Sequence, residues 1–318
     1  MRLPDPVPAP AEALAAIRVR NGLPDALARQ LPSFGITNTI YLLGEEVVLR
    51  VPRDRPRFIQ TAYHEAIAAP IAYAIGLRTP RLLAFDDARD LLPVPYTLYE
   101  RAPGLALGAA CDDPALAAEA WRALGRELAR LHMTTERRGR AAELELDDPP
   151  DPREWAERLA REGYITATEA RWLDGWLERL APAALADVTP RLLHADTQAT
   201  NIMVQPETLS FVALIDWGDA RWGDPARDFI GMPPRAAPWA VQSYREACPS
   251  CALDGLEARV MWHNLALALR QLPRGPAPEQ SWAERPATRL LDLLRFIHEG
   301  PATDDDAWRA TFQPRARG

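Results

Sequence analysis

Residues 192–205 read LLHADTQATNIMVQ, and FVALIDWGDARWGDPARDF follows at 211–229. His194, Asp196 and Asn201 stand among Leu, Ile, Val and Ala, and Asp216 ends the next apolar run. NIMVQ (201–205) and FVALID (211–216) read as two short strands joined by the turn-like PETLS. An antiparallel hairpin about that turn would set 205 opposite 212 and 201 opposite 216. The Asn201 carboxamide would then lie beside the Asp216 carboxylate at one end of the hairpin, a hard-oxygen pair of the kind Mg²⁺ prefers. Asp196, in the loop entering the first strand, would open onto the same end. One such residue alone often only satisfies nearby backbone groups. Four in a linked pattern point to chemistry.

Outward from this stretch, the chain changes character near residue 101. PAEALAAIRVR (10–20) and PDALARQL (24–31) read as helices with proline near the first turn. TIYLLG (39–44) and EVVLRV (46–51) are β-rich runs split at Gly44-Glu45, as in a hairpin. RFIQTAYHEAIAAPIAYAIG (57–76) is helical in composition, with Pro70 expected to kink or divide it. RLLAFDD (81–87) and PYTLYER (95–101) give two more strands, and RAPGLALGAA (101–110) reads as a link. Helical patterns dominate thereafter, interrupted by the opening stretch and by LPRGPAPEQ at 272–280. The expectation is an α+β chain, with a small mixed N-terminal part followed by a larger helical part. At 318 residues it exceeds the usual size of one hydrophobic core.

With 47% hydrophobic and 25% charged residues, the composition is that of an ordinary globular protein. No run has the length of a membrane span, and MRLPDPVPAP has no apolar signal region, so a cytoplasmic location is expected. All 37 basic residues are arginine. Residues 1–100 hold 11 arginines and 11 acids, so the remainder carries the whole net charge of −7. That balance argues against nucleic acid and fits either a cationic small molecule or a solvated acidic surface. Three cysteines make no disulfide framework, and Cys248 and Cys251 alone are too few for a zinc site.

The pattern H-A-D-T-Q-A-T-N, then I-D-W-G-D-A, then G-D-P-A-R-D-F resembles the aminoglycoside phosphotransferase family of antibiotic kinases. The resemblance runs in order over roughly 31–232. It implies a protein-kinase-like two-lobed fold, with a nucleotide-binding lobe at 1–101 and a helical lobe at 102–318. The latter would hold the catalytic loop and metal hairpin (191–232) and acceptor-binding helices (233–318). Asp196 takes the family's catalytic position, with Asn201 and Asp216 holding Mg²⁺. An aspartate of ordinary pKa, about 4, is a weak base at neutral pH, so positioning the acceptor would be its main service. His194 and Asp228 would support the loop, and Asp219 would touch either metal or substrate.

In the N-terminal part, Ser33 and Asn38 fall where the family covers the phosphates. Arg50 stands in place of the phosphate-gripping lysine, and Glu65 is its partner. Glu100 and Ala102 would meet the purine edge. Tyr99 takes the inner position, where a bulky aromatic accompanies GTP use in some relatives, so the donor is ATP or GTP. The resemblance thus implies transfer of a γ-phosphate to a hydroxyl of a small molecule, most simply an antibiotic. The alternatives are a housekeeping metabolite kinase of the same fold or a catalytically silent nucleotide-binding adaptor. No nucleic-acid or membrane partner is implied, and the oligomeric state is left open.

Overall fold

The computed structural model describes residues 5–31, 37–249, 254–275, 285–301 and 306–312. Short, largely buried β-rich runs build the sheet of the first part of the fold. After helix α1 (Ala11–Arg20) come strands β1 (Ala28–Gln30), β2 (Asn38–Leu43) and β3 (Val47–Pro52), helix α2 (Pro56–Ala74), then β4 (Leu82–Asp86) and β5 (Tyr96–Glu100). The five strands form one antiparallel sheet in the order β1-β2-β3-β5-β4. Leu49, Val51 and Leu98 fill its core together with Ile17 of α1.

Two local expectations fail here. Residues 24–31 are not helical, and their second half is the edge strand β1, with Ala28 opposite Leu43 and Gln30 opposite Tyr41. So short a helix is marginal alone, whereas pairing with the open edge of β2 satisfies both backbones. Pro70 does not divide α2, which runs unbroken to Ala74. Proline at 70 deprives the Ala66 carbonyl of its helical donor. Arg140 Nη1 donates to that oxygen instead, at 3.3 Å.

The stretch 101–110 is more than a link, since it contains β6 (Leu105–Ala106) and α3 (Leu107–Ala110). Gly104, at φ +88°, is needed at its entry, because a Cβ there would lie 2.2 Å from the Val204 carbonyl oxygen. Helices α4 (Ala118–Thr134), α5 (Pro152–Arg161) and α6 (Ala167–Ala184) follow, then strands β7 (Arg191–Leu193), β8 (Ile202–Val204), β9 (Phe211–Leu214) and β10 (Arg221–Gly223). The chain closes with α7 (Ala237–Ala247), α8 (Leu256–Gln271), α9 (Thr288–Glu299) and α10 (Asp306–Phe312). The architecture is α+β and kinase-like, an antiparallel five-stranded sheet followed by a mostly helical part.

In the helical part, α4 packs directly on α7. Gly125 permits that approach, since a Cβ there would come 2.1 Å from the Ala240 carbonyl oxygen. Trp121, Trp217, Trp222 and Trp308 are fully buried in this core. Among the described residues, no helix is long and apolar enough to cross a membrane.

Candidate active site

Five short strands frame the opening stretch. β6, β8 and β9 form one antiparallel ladder, and β7 pairs with β10. The loop carrying His194 and Asp196 hangs between β7 and β8, and the loop carrying Asp216 and Asp219 between β9 and β10. The hairpin register differs by one residue from the sequence expectation, with Ile202 opposite Leu214 and Met203 opposite Ala213. The turn is tighter than a five-residue connection, because Gln205 N–H bonds the Ser210 oxygen at 2.9 Å and Leu209 adopts φ 55°. A bulge at Val212 takes up the extra residue. Asn201 is therefore opposite Ile215, whose N–H it accepts at 2.9 Å, and Asp216 leaves the strand in a left-handed conformation, φ 70° and ψ 72°. Ala195 is also left-handed, at φ 63°. Two such non-glycine residues, each costing on the order of 1 kcal/mol, bracket the site.

Asn201 Nδ2 donates to Asp196 Oδ2 at 2.7 Å and to the Asp196 carbonyl at 2.8 Å, and Gln198 Nε2 donates to Oδ1. Burial, then the nearby charge of Asp219, pushes the Asp196 pKa up to about 7. This replaces the ordinary carboxylate acidity assumed from sequence, because a loop position gives no sign of its burial. His194 is fully buried and accepts the Asp196 N–H on Nδ1 at 3.2 Å. Its Nε2, 3.0 Å from the Ile215 carbonyl, therefore carries the proton. Burial holds its pKa below the usual value, so the ring is neutral.

Asp228 organises this loop from behind. Its carboxylate accepts the His194 N–H at 3.0 Å and the Ala195 N–H at 2.6 Å, and lies 3.0 Å from His132 Nε2. Thr197 Oγ1 donates to the Asp228 carbonyl at 2.6 Å. Asp224, four residues earlier, serves the scaffold. It accepts the Ala226 N–H at 3.0 Å and binds Arg259 and His263 of α8 at 2.9 and 3.1 Å. His132 and Gln198 escaped the sequence reading. His132 is 96 residues from its partner, and Gln198 occupies a position the motif leaves unspecified.

A buried ion chain joins the sheet to this site. Arg50 of β3 lies 2.9 Å from Glu65 of α2 and 2.8 Å from Asp216. Burial works against the Arg50 charge, but Asp216 and then Glu65 outweigh it and raise the pKa. Burial lifts Glu65 to about 7 in spite of Arg50. At Asp216 burial is again the largest influence, yet the Arg50 charge and hydrogen bond overcome it and the pKa is lowered. Tyr99 of β5 is buried, and its hydroxyl donates to Glu65 at 3.1 Å, beside Thr97 at 3.3 Å. The Glu100 N–H is committed to the Arg81 carbonyl, whereas the Ala102 N–H has no protein acceptor among the described residues. Asn38 is buried at the start of β2. Asp219 pairs with Arg221 at 3.2 Å. Ser33, Cys251 and Trp282 lie outside the described residues, and Cys248 is buried under the helical core.

Among the described residues, no cluster of three or more His, Cys, Asp or Glu side chains forms a metal cage. One carboxamide and one carboxylate, with Asp216 keeping 38% of its side chain exposed, nonetheless fit Mg²⁺. That ion takes one or two protein oxygens and completes its shell with water and substrate phosphates.

The fold and this site define a kinase-like phosphotransferase. The chain belongs to the phosphotransferase enzyme family (APH), whose pattern matches residues 29–247. It is similar in structure to the GDP complex of aminoglycoside 2'-phosphotransferase-IIIa, with TM-score 0.65 at 15% identity, covering 89% of this chain and 98% of that one. The macrolide 2'-phosphotransferase MphH from Brachybacterium faecium gives TM-score 0.60 at 23% identity, covering 96% and 100%. Spectinomycin phosphotransferase APH(9)-Ia, bound to ADP and spectinomycin, gives 0.57 at 15% identity, covering 96% and 99%. No curated protein is significantly similar in sequence.

Proposed function

We propose that this phosphotransferase moves the γ-phosphate of ATP or GTP to a hydroxyl of a small molecule, in the cytoplasm and with Mg²⁺. The observation that carries the reading is the meeting of two groups, the ion chain of Arg50, Glu65 and Asp216 and the Asn201–Asp196 pair, on loops tied by the Ile215 N–H bond to the Asn201 carbonyl. Residues 1–101 form the nucleotide-binding lobe and 102–318 the catalytic and acceptor-binding lobe. Ala102 donates its N–H to the purine edge, and the Tyr99 ring closes the back of that pocket. Arg50 grips the donor phosphates, with Glu65 holding the guanidinium in place. Asn201 and Asp216 hold Mg²⁺, which when bound neutralises phosphate charge. Asp196 orients the acceptor hydroxyl and receives its proton. A pKa near neutrality suits that task, and a bound cation draws it downward. His194 and Asp228 hold the loop.

Antibiotics are the first acceptors to test, because structural neighbours act on an aminoglycoside, a macrolide and spectinomycin. The alternative acceptor is a metabolite. The test is NTP consumption by the purified protein over both acceptor panels, with and without Mg²⁺. Asp196→Ala should lower kcat by about 10²–10⁴-fold with nucleotide affinity retained. Undiminished turnover in that variant, or normal metal dependence in Asp216→Ala, would overturn the assignment.

A further inference from the structure

Helix α2 brings Glu65 to Arg50, and the loop after β9 brings Asp216. The guanidinium can serve both only if helix and loop keep a fixed spacing. The two elements touch directly, since a Cβ at Gly218 would lie 2.8 Å from the Thr61 Cβ and 3.4 Å from Glu65 Oε1. Yet α2 contains Pro70 shortly beyond Glu65. Proline removes the donor for the carbonyl four residues back and crowds it, a common cause of a kink. The affected oxygen belongs to Ala66, which adjoins Glu65 and is 4% exposed, so water is a poor substitute donor. A kink there would displace Thr61 and Glu65 relative to Ala69 and Ala72, which pack in the core.

Residues 139–147 supply the missing support. Arg140 Nη1 donates to the Ala66 carbonyl at 3.3 Å, and Gln60 Nε2, earlier on α2, donates to Glu145 Oε1 at 2.9 Å. The same segment is stitched to β10. Trp222 Nε1 donates to the Ala141 carbonyl at 2.6 Å, the Trp222 N–H to the Glu145 carbonyl at 2.8 Å, and the Asp147 N–H to the Trp222 carbonyl at 2.6 Å. β10 is the strand into which the Asp216 loop runs. One strap thus bears on the helix that carries Glu65 and on the strand that ends the Asp216 loop.

We propose that Arg140 is a positioning residue for the donor side. By replacing the backbone donor lost at Pro70, it keeps α2 in register with the Asp216 loop, and so keeps Glu65 on Arg50. This inference rests on the reading of Arg50 as the group that grips the donor phosphates.

The test is a cycle of variants read by calorimetric titration with ATP and with GTP in the presence of Mg²⁺, which needs no acceptor. Arg140 and Pro70 are both exposed, so neither change should unfold the chain, and circular dichroism checks this. Arg140→Met keeps an apolar stem and removes the donor. The nucleotide Kd should rise about fivefold, the factor that one ordinary hydrogen bond gives. Arg140→Lys retains a donor and should recover part of the affinity. Pro70→Ala returns an N–H to position 70, so Arg140→Met/Pro70→Ala should bind nucleotide as Pro70→Ala does. A role in overall stability alone would leave Kd unmoved in every folded variant and would overturn the proposal. A loss that persists in the double variant would overturn it too. Arg50→Gln separates the two readings. If it weakens binding and Arg140→Met does not, the positioning role fails while the phosphate grip stands. If Arg50→Gln leaves Kd unchanged, the phosphate grip fails and the positioning role falls with it.

Discussion

The two sides of the site are held by different forces. Around Asp196 the loop is fixed by hydrogen bonds, since the neutral backbone N–H groups of His194 and Ala195 converge on Asp228 together with His132 and Thr197. Around Arg50 the contacts are charges, one guanidinium shared by Glu65 and Asp216 across sheet, helix and loop. Buried neutral-donor networks specify one geometry and leave orphaned groups if a member is lost. An ion chain can be re-partnered when phosphates and a cation arrive. On the proposed function, the acceptor side would thus be built to stay, and the donor side to exchange partners.

The sharpest way to break this comparison is Asp228→Ala. It strands two backbone donors and leaves His132 Nε2 buried without its acceptor, so a loss of about 3 kcal/mol is expected, together with a large fall in kcat. Urea unfolding monitored by circular dichroism measures the first. A loss under about 1 kcal/mol would mean that the loop is held by something other than this carboxylate. The matching change on the donor side is Arg50→Gln. It leaves Glu65 and Asp216 without their cation, but Glu65, already lifted to about 7, can take up a proton. Stability should therefore change less than in Asp228→Ala, while the nucleotide KM rises by about 10–100-fold. Steady-state kinetics with ATP and GTP would show it. Equal stability losses in the two variants would erase the distinction.

A third comparison sets Asp224 against Asp228, two acids of one GDPARD run. Burial opposes the Asp224 charge, yet His263 and Arg259 bring its pKa down to about 2, from 3.8. A folded-state pKa below the unfolded value gives stability that is present above pH 3.8 and lost as pH falls toward 2. By linkage this amounts to about 2 kcal/mol. Asp224→Asn should flatten the acid limb of the stability-versus-pH curve in that window, measured by urea unfolding from pH 5 downward. An unchanged limb would place the acid sensitivity in other carboxylates.

How much of this was legible in the sequence depends on whether the contacts are local. The β-rich runs over 39–51 and 95–101 revealed the sheet, because branched and aromatic residues between turn signals mark a strand locally. His194, Asp196, Asn201 and Asp216 were readable as one site, since a hairpin brings its two ends together. The exact register was not, because it depends on a bulge and on Leu209 turning left-handed, which few residue types announce. β1 was misread for a similar reason, since its state is set by the edge of β2 rather than by its own propensity. Burial was the least visible quantity. Nothing beside Asp196 or Glu65 in the chain announces it, and only the packed fold lifts both to about 7.

The smallest effect concerns Tyr99, where the two sides of the comparison meet. Its hydroxyl is occupied by Glu65 at 3.1 Å, so on the proposed function the ring, not the hydroxyl, would border the purine. Tyr99→Phe removes one buried hydrogen bond and should cost about 1 kcal/mol, read as a small fall in the urea midpoint. The ratio of kcat/KM for GTP over ATP should stay within about threefold, less than the factor of ten that 1.4 kcal/mol gives. Tyr99→Ala, which removes the ring, should shift that ratio toward ATP. A shift in the Phe variant as large as in the Ala variant would assign donor choice to the hydroxyl. Glu65 would then act in nucleotide selection as well as in holding Arg50.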